Sequence, residues 1–327
     1  MKAITHRMFG SPDVLNLEEV PKPAPEEHEI LVRNHATTIT SAETAGRQGK
    51  GFARLYFGPR TPRFQVLGST VAGEVVATGS AAERFAVGDL VVGACPRFGA
   101  LAEFVRVPEY GAVARIPDNV GFQEAVAVAD GALTALPFLR DHANLQPGQH
   151  ILINGAAGAV GTAAVQLAKH LGANVTAVSS GRNHDLTKSL GADNVIDYTR
   201  EDFTRSGSTY DVIFDAIGKS SYAKCKRSLT PTGRYLTTVP SLGILARTFV
   251  SSPGKRRSGA IALTGLRPAA KVAEDLQYIT ALAASGEYRP VIDRSYPLEE
   301  TADAHRYVET ERKRGSVVIT IGQSPTR

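Results

Sequence analysis

Residues 151–197 read ILINGAAGAVGTAAVQLAKHLGANVTAVSSGRNHDLTKSLGADNVID, and this stretch decides the fold. The apolar run Ile151-Leu152-Ile153 enters a turn of small residues, Gly155-Ala156-Ala157-Gly158. It leaves with Val160, Ala164, Leu167, Ala168 and Leu171 on one helical face. A second β-rich run follows at 175–178. Strand, tight turn, helix and strand within about thirty residues make one βαβ unit, the context in which a glycine turn can hold a dinucleotide. The turn carries Ala156-x-Gly158-x-x-Gly161, with alanine where the usual fingerprint has its first glycine. Backbone N–H groups and the start of the helix offer partial positive charge to a pyrophosphate there, and small residues let the phosphates approach. The alternative is a glycine turn that only packs helix on strand.

About twenty residues further on, an NAD-selective site carries Asp or Glu for the ribose hydroxyls. Here Ser179-Ser180-Gly181-Arg182 stands instead. With hydroxyls and a guanidinium at that corner and no carboxylate to repel a 2′-phosphate, the expected cofactor is NADPH; otherwise Arg182 is a solvated turn residue. Between Asp215 and Glu274 there is no acidic residue, whereas Lys219, Lys224, Lys226, Arg227, Arg234, Arg247, Lys255, Arg256, Arg257, Arg267 and Lys271 all fall there. Such a stretch either steers an anionic cofactor or is a solvated face.

Outward from this unit, strand candidates at 151–154, 175–178, 194–196, 212–214, 234–238 and 260–264 alternate with helical segments. Six strands in that arrangement predict a doubly wound, mostly parallel sheet covered on both faces. Before it, from Met1 to about Pro117, short apolar or alternating runs at 2–5, 30–34, 72–78, 90–93 and 103–107 are separated by Pro and Gly, the texture of a β-barrel. One short helix is expected there, at 41–47. An alanine-rich helix at 122–139 follows the change of texture, a closing helix is expected at 274–285, and the tail offers a helix at 299–312 and a strand at 317–321.

The chain has 327 residues, 43% hydrophobic and 21% charged, an ordinary globular balance sufficient for two domains. Only Cys95 and Cys225 occur, so neither a disulfide framework nor a cysteine-rich zinc lobe can be built. The N-terminus has no apolar leader, and no run approaches the roughly eighteen apolar residues of a membrane span. A cytoplasmic protein without membrane contact is expected. A net charge of +5 raises the question of nucleic acid, but no basic–aromatic interleaving or nucleic-acid module supports it, and a small-molecule partner is expected instead.

The segments NGAAGAVGTAAVQLAKHLGA (154–173), SLGADNVIDY (189–198), DVIFDAIG (211–218), GRYLTT (233–238) and YPLEETADAHRYVE (296–309) with GSVVITI (315–321) closely resemble the medium-chain dehydrogenase/reductase superfamily. Within it they are most similar to the zinc-independent quinone oxidoreductases. VLGSTVAGEVVATG (66–79) and FAVGDLVVG (85–93) extend the resemblance into the first half. It implies an α/β fold, a Rossmann domain (120–287) inserted into a GroES-like β-barrel domain (1–119 and 288–327), and a homodimer.

In zinc-dependent members, ligands stand at the places held here by Thr40, Ser69 and Asp130. One carboxylate does not make a site that needs three protein ligands and a water, so no zinc is expected. The chemistry then implied is hydride transfer from NADPH to a small hydrophobic electrophile, a quinone or an α,β-unsaturated carbonyl. A dedicated enoyl or alkenal reductase, or a cofactor-binding protein without turnover, are the alternatives. The resemblance places Thr134, Ala157, Gly158, Ala159, Val160, Gly161, Ser179, Ser180, Arg182, Tyr198, Ile217, Gly218 and Val239 at the cofactor. Asp215 either meets the ribose or is structural, and Tyr198 either packs near the adenosine phosphate or is a strand-end aromatic. Many relatives carry Asn-Pro-x-Asp where this chain has Thr40-Ser41-Ala42-Glu43. Thr40 can still donate a hydrogen bond to the acceptor. Tyr56 is either a proton donor or part of a pocket wall with its aromatic neighbours. Leu242, Ile244, Leu245, Phe249 and Val250 either meet the acceptor, form a short packed helix or make a dimer contact.

Overall fold

Short runs of β-branched residues between Pro and Gly form strands, and in the first third they do so antiparallel. The computed structural model describes residues 1–51, 53–241, 243–245, 257–261 and 267–322. A hairpin of β1 (Lys2–Thr5) and β2 (Asn16–Glu19) opens the chain. The ten-residue β3 (Glu29–Thr38) leads to α1 (Ser41–Gln48) and α2 (Ala53–Phe57). Then come β4 (Thr70–Thr78), β5 (Leu90–Ala94), β6 (Phe104–Pro108) and β7 (Val113–Arg115). α2 was not anticipated; five residues are too few to display a helical period.

α3 (Phe122–Pro137) ends two residues before the expected Leu139, at a proline. Pro137 has no N–H and its ring crowds the preceding turn, and the backbone continues as a π-turn over Phe138–His142, with Ala143 N donating to Phe138 O at 2.7 Å. Next follow β8 (His150–Asn154), α4 (Ala159–His170), β9 (Asn174–Ser179), α5 (His184–Ser189), β10 (Asn194–Asp197) and β11 (Tyr210–Asp215). α6 (Tyr222–Cys225), β12 (Leu229–Thr237) and β13 (Ser258–Ile261) complete this part. α7 (Ala269–Ala284), β14 (Ile292–Pro297), α8 (Thr301–Glu309) and β15 (Ser316–Thr320) finish the described chain. No described helix is long and apolar enough to cross a membrane.

The chain divides into two compact units, residues 1–130 with 267–327, and residues 131–266. Compared with the boundaries read from texture, α3 is cut at Asp130 and α7 belongs with the first unit. In the second unit all six strands are parallel, in the order β10-β9-β8-β11-β12-β13. Its central strands are apolar on both faces, as a sheet covered on both sides requires. The order reverses between β8 and β11, and at such a switch point the loops leaving neighbouring strands diverge and open a crevice.

In the first unit the sheet runs β14-β15-β3-β4-β5-β7. β4 pairs along one edge of β3; the other edge is shared, Glu29 to Arg33 by β6 and Ala36 to Thr38 by β15. A strand from the end of the chain thus completes a sheet begun near its start. One core cluster there joins Ile4, Ile39, Leu67 and Leu101 to Val308, Val317 and Ile319. Beside it lies a polar interior. Arg47 is fully buried, donating from its guanidinium to Gly10 O and pairing with Glu309. His305 on α8 is also fully buried, and neither ring nitrogen has a hydrogen-bond partner. Burial, then Arg47 and His6, push its pKa down to about 3.

Candidate active site

Within the second unit, the residues of the glycine turn, Ser179, Ser180, Ile217, Gly218 and Val239 lie at the carboxyl ends of β8, β9, β11 and β12, while Thr134 is on α3 and Tyr198 follows β10. Gly155 turns the chain out of β8 with φ +81°, and both Gly155 N and Ala156 N donate to Val178 O at 3.1 Å. Gly158 is the N-cap of α4 and supplies no side chain to its first N–H groups, so Ala159, Val160 and Gly161 begin the helix with donors free for an anion. The two glycines of the fingerprint differ in purpose. A Cβ on Gly161 would lie 2.1 Å from Gly155 O, so this glycine seats helix on turn; a Cβ on Gly158 would meet nothing nearer than 3.7 Å. The space in front of Gly158 is the kind of cradle a pyrophosphate fills.

The other loops close on this turn. A Cβ on Gly155 would strike Ile217 at 2.4 Å, and one on Gly218, where φ is +65°, would strike Val239 at 2.5 Å. Ile217 and Val239 are exposed, as is Tyr198, unusual for apolar side chains beside a glycine crevice. α3 approaches through Gly131, whose Cβ would lie 2.1 Å from Ala159 O, and Thr134 stands one turn further on, half-buried.

Asp215 proves to be the clamp of the β11 exit loop. Fully buried, it accepts on Oδ1 from Asn154 Nδ2 and Gly218 N, both at 3.0 Å, and on Oδ2 from Ser220 N at 2.8 Å and the Tyr235 hydroxyl at 2.9 Å. With its lone pairs so occupied, it holds the Gly218 backbone and has little left for a ribose.

The adenosine corner needs a correction. Ser179 is buried, Ser180 half-buried, and Arg182 exposed in a short 3-10 turn, but the corner is not free of carboxylate. β10 pairs with β9 so that Asp197 lies opposite Ser179, and a Cβ on Gly181 would be 2.7 Å from Asp197 Oδ2. The Thr199 hydroxyl and N–H, both bonded to Oδ1, hold the Asp197 carboxyl below its ordinary range, so it is charged at neutral pH. Nor is the basic stretch one steering face. Arg234 donates to His142 O, Arg257 to Leu229 O, and Arg267 pairs with Asp275; Arg247, Lys255 and Arg256 lie outside the described residues. Of the apolar group at 242–250, Ile244 is buried in the core with Leu245 packed against that cluster, and Leu242, Phe249 and Val250 fall outside the described residues.

In the first unit, Thr40 is the N-cap of α1 in a capping box: Thr40 N donates to Glu43 Oε2 at 2.8 Å, and Glu43 N donates to Thr40 Oγ1 at 3.1 Å. Tyr56 is exposed, but its hydroxyl donates to Pro96 O at 3.1 Å and its ring packs with Phe57, Phe64 and Phe98. Asp130 accepts from Ser316 Oγ at 2.8 Å. Among the described residues no group of three or more His, Cys, Asp or Glu could hold a metal ion. Glu43 is the group sequence reasoning passed over: it is fully buried, and a carboxyl in the first turn of a helix ordinarily reads as a solvated partner of the helix dipole.

Known proteins share this architecture. Residues 26–118 match the alcohol dehydrogenase GroES-like domain, and residues 190–319 match a family described as zinc-binding dehydrogenase. The chain is 34% identical to a 2-methylene-furan-3-one reductase of Solanum lycopersicum, over 98% of this chain and 79% of that protein. It is 32% identical to an NADPH-dependent alkenal/one oxidoreductase of Arabidopsis thaliana, over the same 98% and 79%. The solved quinone oxidoreductase of Coxiella burnetii superposes with a TM-score of 0.88 at 30% identity, covering 98% of this chain and 99% of that one. With its parallel dinucleotide-binding sheet, its GroES-like part and these relatives, the chain belongs to the medium-chain dehydrogenase/reductase superfamily, among its quinone oxidoreductase-like members, and is an NAD(P)H-dependent oxidoreductase.

Proposed function

We propose that the protein uses NADPH, without zinc, to reduce a small hydrophobic electrophile, a quinone or an α,β-unsaturated carbonyl. The observation that carries this reading is the crevice of the second unit, where exposed Ile217 lies against the Gly155 turn that leads into the glycine-capped start of α4 and exposed Val239 against Gly218. NADPH bound there supplies a hydride. The α4 N–H groups hold its pyrophosphate, Thr134 its carboxamide, and the apolar side chains exclude water. Thr40, whose oxygen already accepts from Glu43 N, donates its own hydrogen to the oxyanion that develops on the acceptor. Two hydroxyls and one carboxylate at Thr40, Ser69 and Asp130 do not fit zinc, which takes nitrogen and sulfur ligands as well as oxygen and needs three from the protein. Following NADPH absorbance against a panel of quinones, enones and enoyl thioesters tests the reading; tight cofactor binding without oxidation on any member rejects it. Preference for enones and enoyl thioesters over quinones would mark a dedicated alkene reductase, in line with the two plant relatives.

Arg182 and the Ser180 hydroxyl support NADPH, and Asp197 opposes it. Arg182→Ala is expected to weaken NADPH binding by about tenfold and leave NADH unchanged, the loss of one charge-assisted contact. Fluorescence titration reads both, and wild-type protein binding NADH as tightly as NADPH overturns the preference. Because its hydroxyl is engaged with Pro96, Tyr56 serves as a wall, and Tyr56→Phe is expected to keep kcat/KM within about threefold. A tenfold or larger loss on a confirmed acceptor would instead make the phenol a proton donor.

A further inference from the structure

The first unit holds a cavity of about 260 Å³ that the activity proposed above does not use. It opens between the loop ahead of β5, strand β7 and helix α7, so its lining belongs wholly to that one unit. Two guanidiniums line it, Arg84 and Arg115, and among the described residues no acidic side chain does. Arg84 is half-buried and has no carboxylate partner among the described residues. Its guanidinium donates Nη1 to Glu109 O at 2.9 Å and otherwise lies over aromatic rings, 5.6 Å from the Phe85 centroid and 5.5 Å from that of Tyr110. Ring faces replace part of the hydration a cation gives up, but they bring no counter-charge. Arg115 lies 5.0 Å from the same Phe85 centroid and bonds through Nη2, to Arg84 O and Asp89 Oδ2, both at 2.8 Å. Its Nε and Nη1 hydrogens are left over, as are most of those on Arg84. Two cations gathered on one ring thus share a single bonded carboxylate among the described residues.

The rest of the wall limits what could supply the missing charge. Gln277 and Ala281 stand one turn apart on α7, and the Gln277 amide makes no hydrogen bond among the described residues. Buried Phe85 and Ala114, with Ala281, give an apolar surface beside these donors. A carboxylate matches the planar fork of a guanidinium, and the volume lies just under that of pockets for drug-sized ligands. We propose that this cavity binds a small organic carboxylate, its oxygens held by Arg84, Arg115 and the Gln277 amide and its apolar body laid against Phe85 and the two alanines. These residues take no part in the cofactor crevice, so occupancy is read without turnover.

Benzoate is the probe. Calorimetric titration of the full chain is expected to give a Kd at or below about 1 mM. Benzamide, the same ring without the charge, and inorganic phosphate, the charge without the ring, are each expected to bind at least about tenfold more weakly. Gln277→Glu, at an exposed position, offers the guanidiniums a carboxylate of the protein's own; it is expected to weaken benzoate at least about tenfold while the melting temperature stays within about 2 °C and NADPH Kd within about twofold. Arg84→Gln is expected to weaken benzoate equally. It also gives up the bond to Glu109 O, so Gln277→Glu carries the test alone should Arg84→Gln melt early. Absence of benzoate binding at about 10 mM, equal binding of benzamide or phosphate, or undiminished binding by Gln277→Glu overturns the assignment. Loss of benzoate binding on saturation with NADPH would put the probe in the cofactor crevice and overturn it as well.

Discussion

Gly158→Val is expected to weaken NADPH binding by about 100-fold, near 3 kcal/mol, and to leave the melting temperature within about 2 °C of wild type. The separation follows from geometry. Gly158 has φ −79° and ψ 174°, which any residue adopts, and a Cβ there meets no protein atom closer than 3.7 Å. A phosphate held on the α4 N–H groups would fill this place, so a side chain there would compete with the ligand and not with the fold. Gly161→Val is the contrast. A Cβ 2.1 Å from Gly155 O and 2.7 Å from Ala156 Cα collides with backbone that no rotamer relieves, and stability falls by on the order of 3 kcal/mol or more along with binding. Isothermal titration with NADPH and thermal melts of both variants check the pair. If Gly158→Val binds NADPH like wild type, the pyrophosphate does not sit on this turn.

Acidification is expected to destabilise the protein through His305, and His305→Leu to abolish much of that loss. The histidine pKa is about 3 in the fold against 6.5 for the free side chain. Below pH 6.5 the unfolded chain takes up a proton that the folded chain refuses until about pH 3, so the stability present above pH 6.5 drains away across that window. The full effect is on the order of 4 kcal/mol. Burial is the main cause, and the Arg47 guanidinium, itself enclosed, adds repulsion. His6, shifted the same way by burial, contributes with the same sign. Leucine suits the site because neither ring nitrogen makes a hydrogen bond that would be lost. Urea denaturation of both proteins at about pH 7, 5.5 and 4.5 measures it; equal slopes of stability against pH would show that other groups govern acid unfolding.

The second unit was largely legible because its signals are local. Ile151 to Gly161 states strand, turn and helix in eleven consecutive residues, and the alternation of six strand candidates with helical segments states a doubly wound parallel sheet. What escaped reading came from distance. Asp197 reaches the Gly181 turn through the register of β10 on β9, which no single stretch encodes. Asp215 reads as a possible ribose ligand until its donors, from three separate places in the chain, are counted. β14, with Asp293 and Arg294 at its centre, carries no strand pattern and is held in the sheet by its parallel partner β15. Glu43 and His305 are polar letters on short amphipathic helices, and only packing turns them into enclosed groups.

The shared edge of β3 also bears on how the chain is made. Residues 131–266 are contiguous, so every strand of the parallel sheet has left the ribosome before α7 is begun. The first sheet is differently placed: residues 36–38 of β3 have their partner on β15, almost the whole chain later. Throughout the intervening synthesis an open strand edge waits for its own sequence, and that interval, more than the finished protein, is when this molecule is exposed to pairing with a stranger.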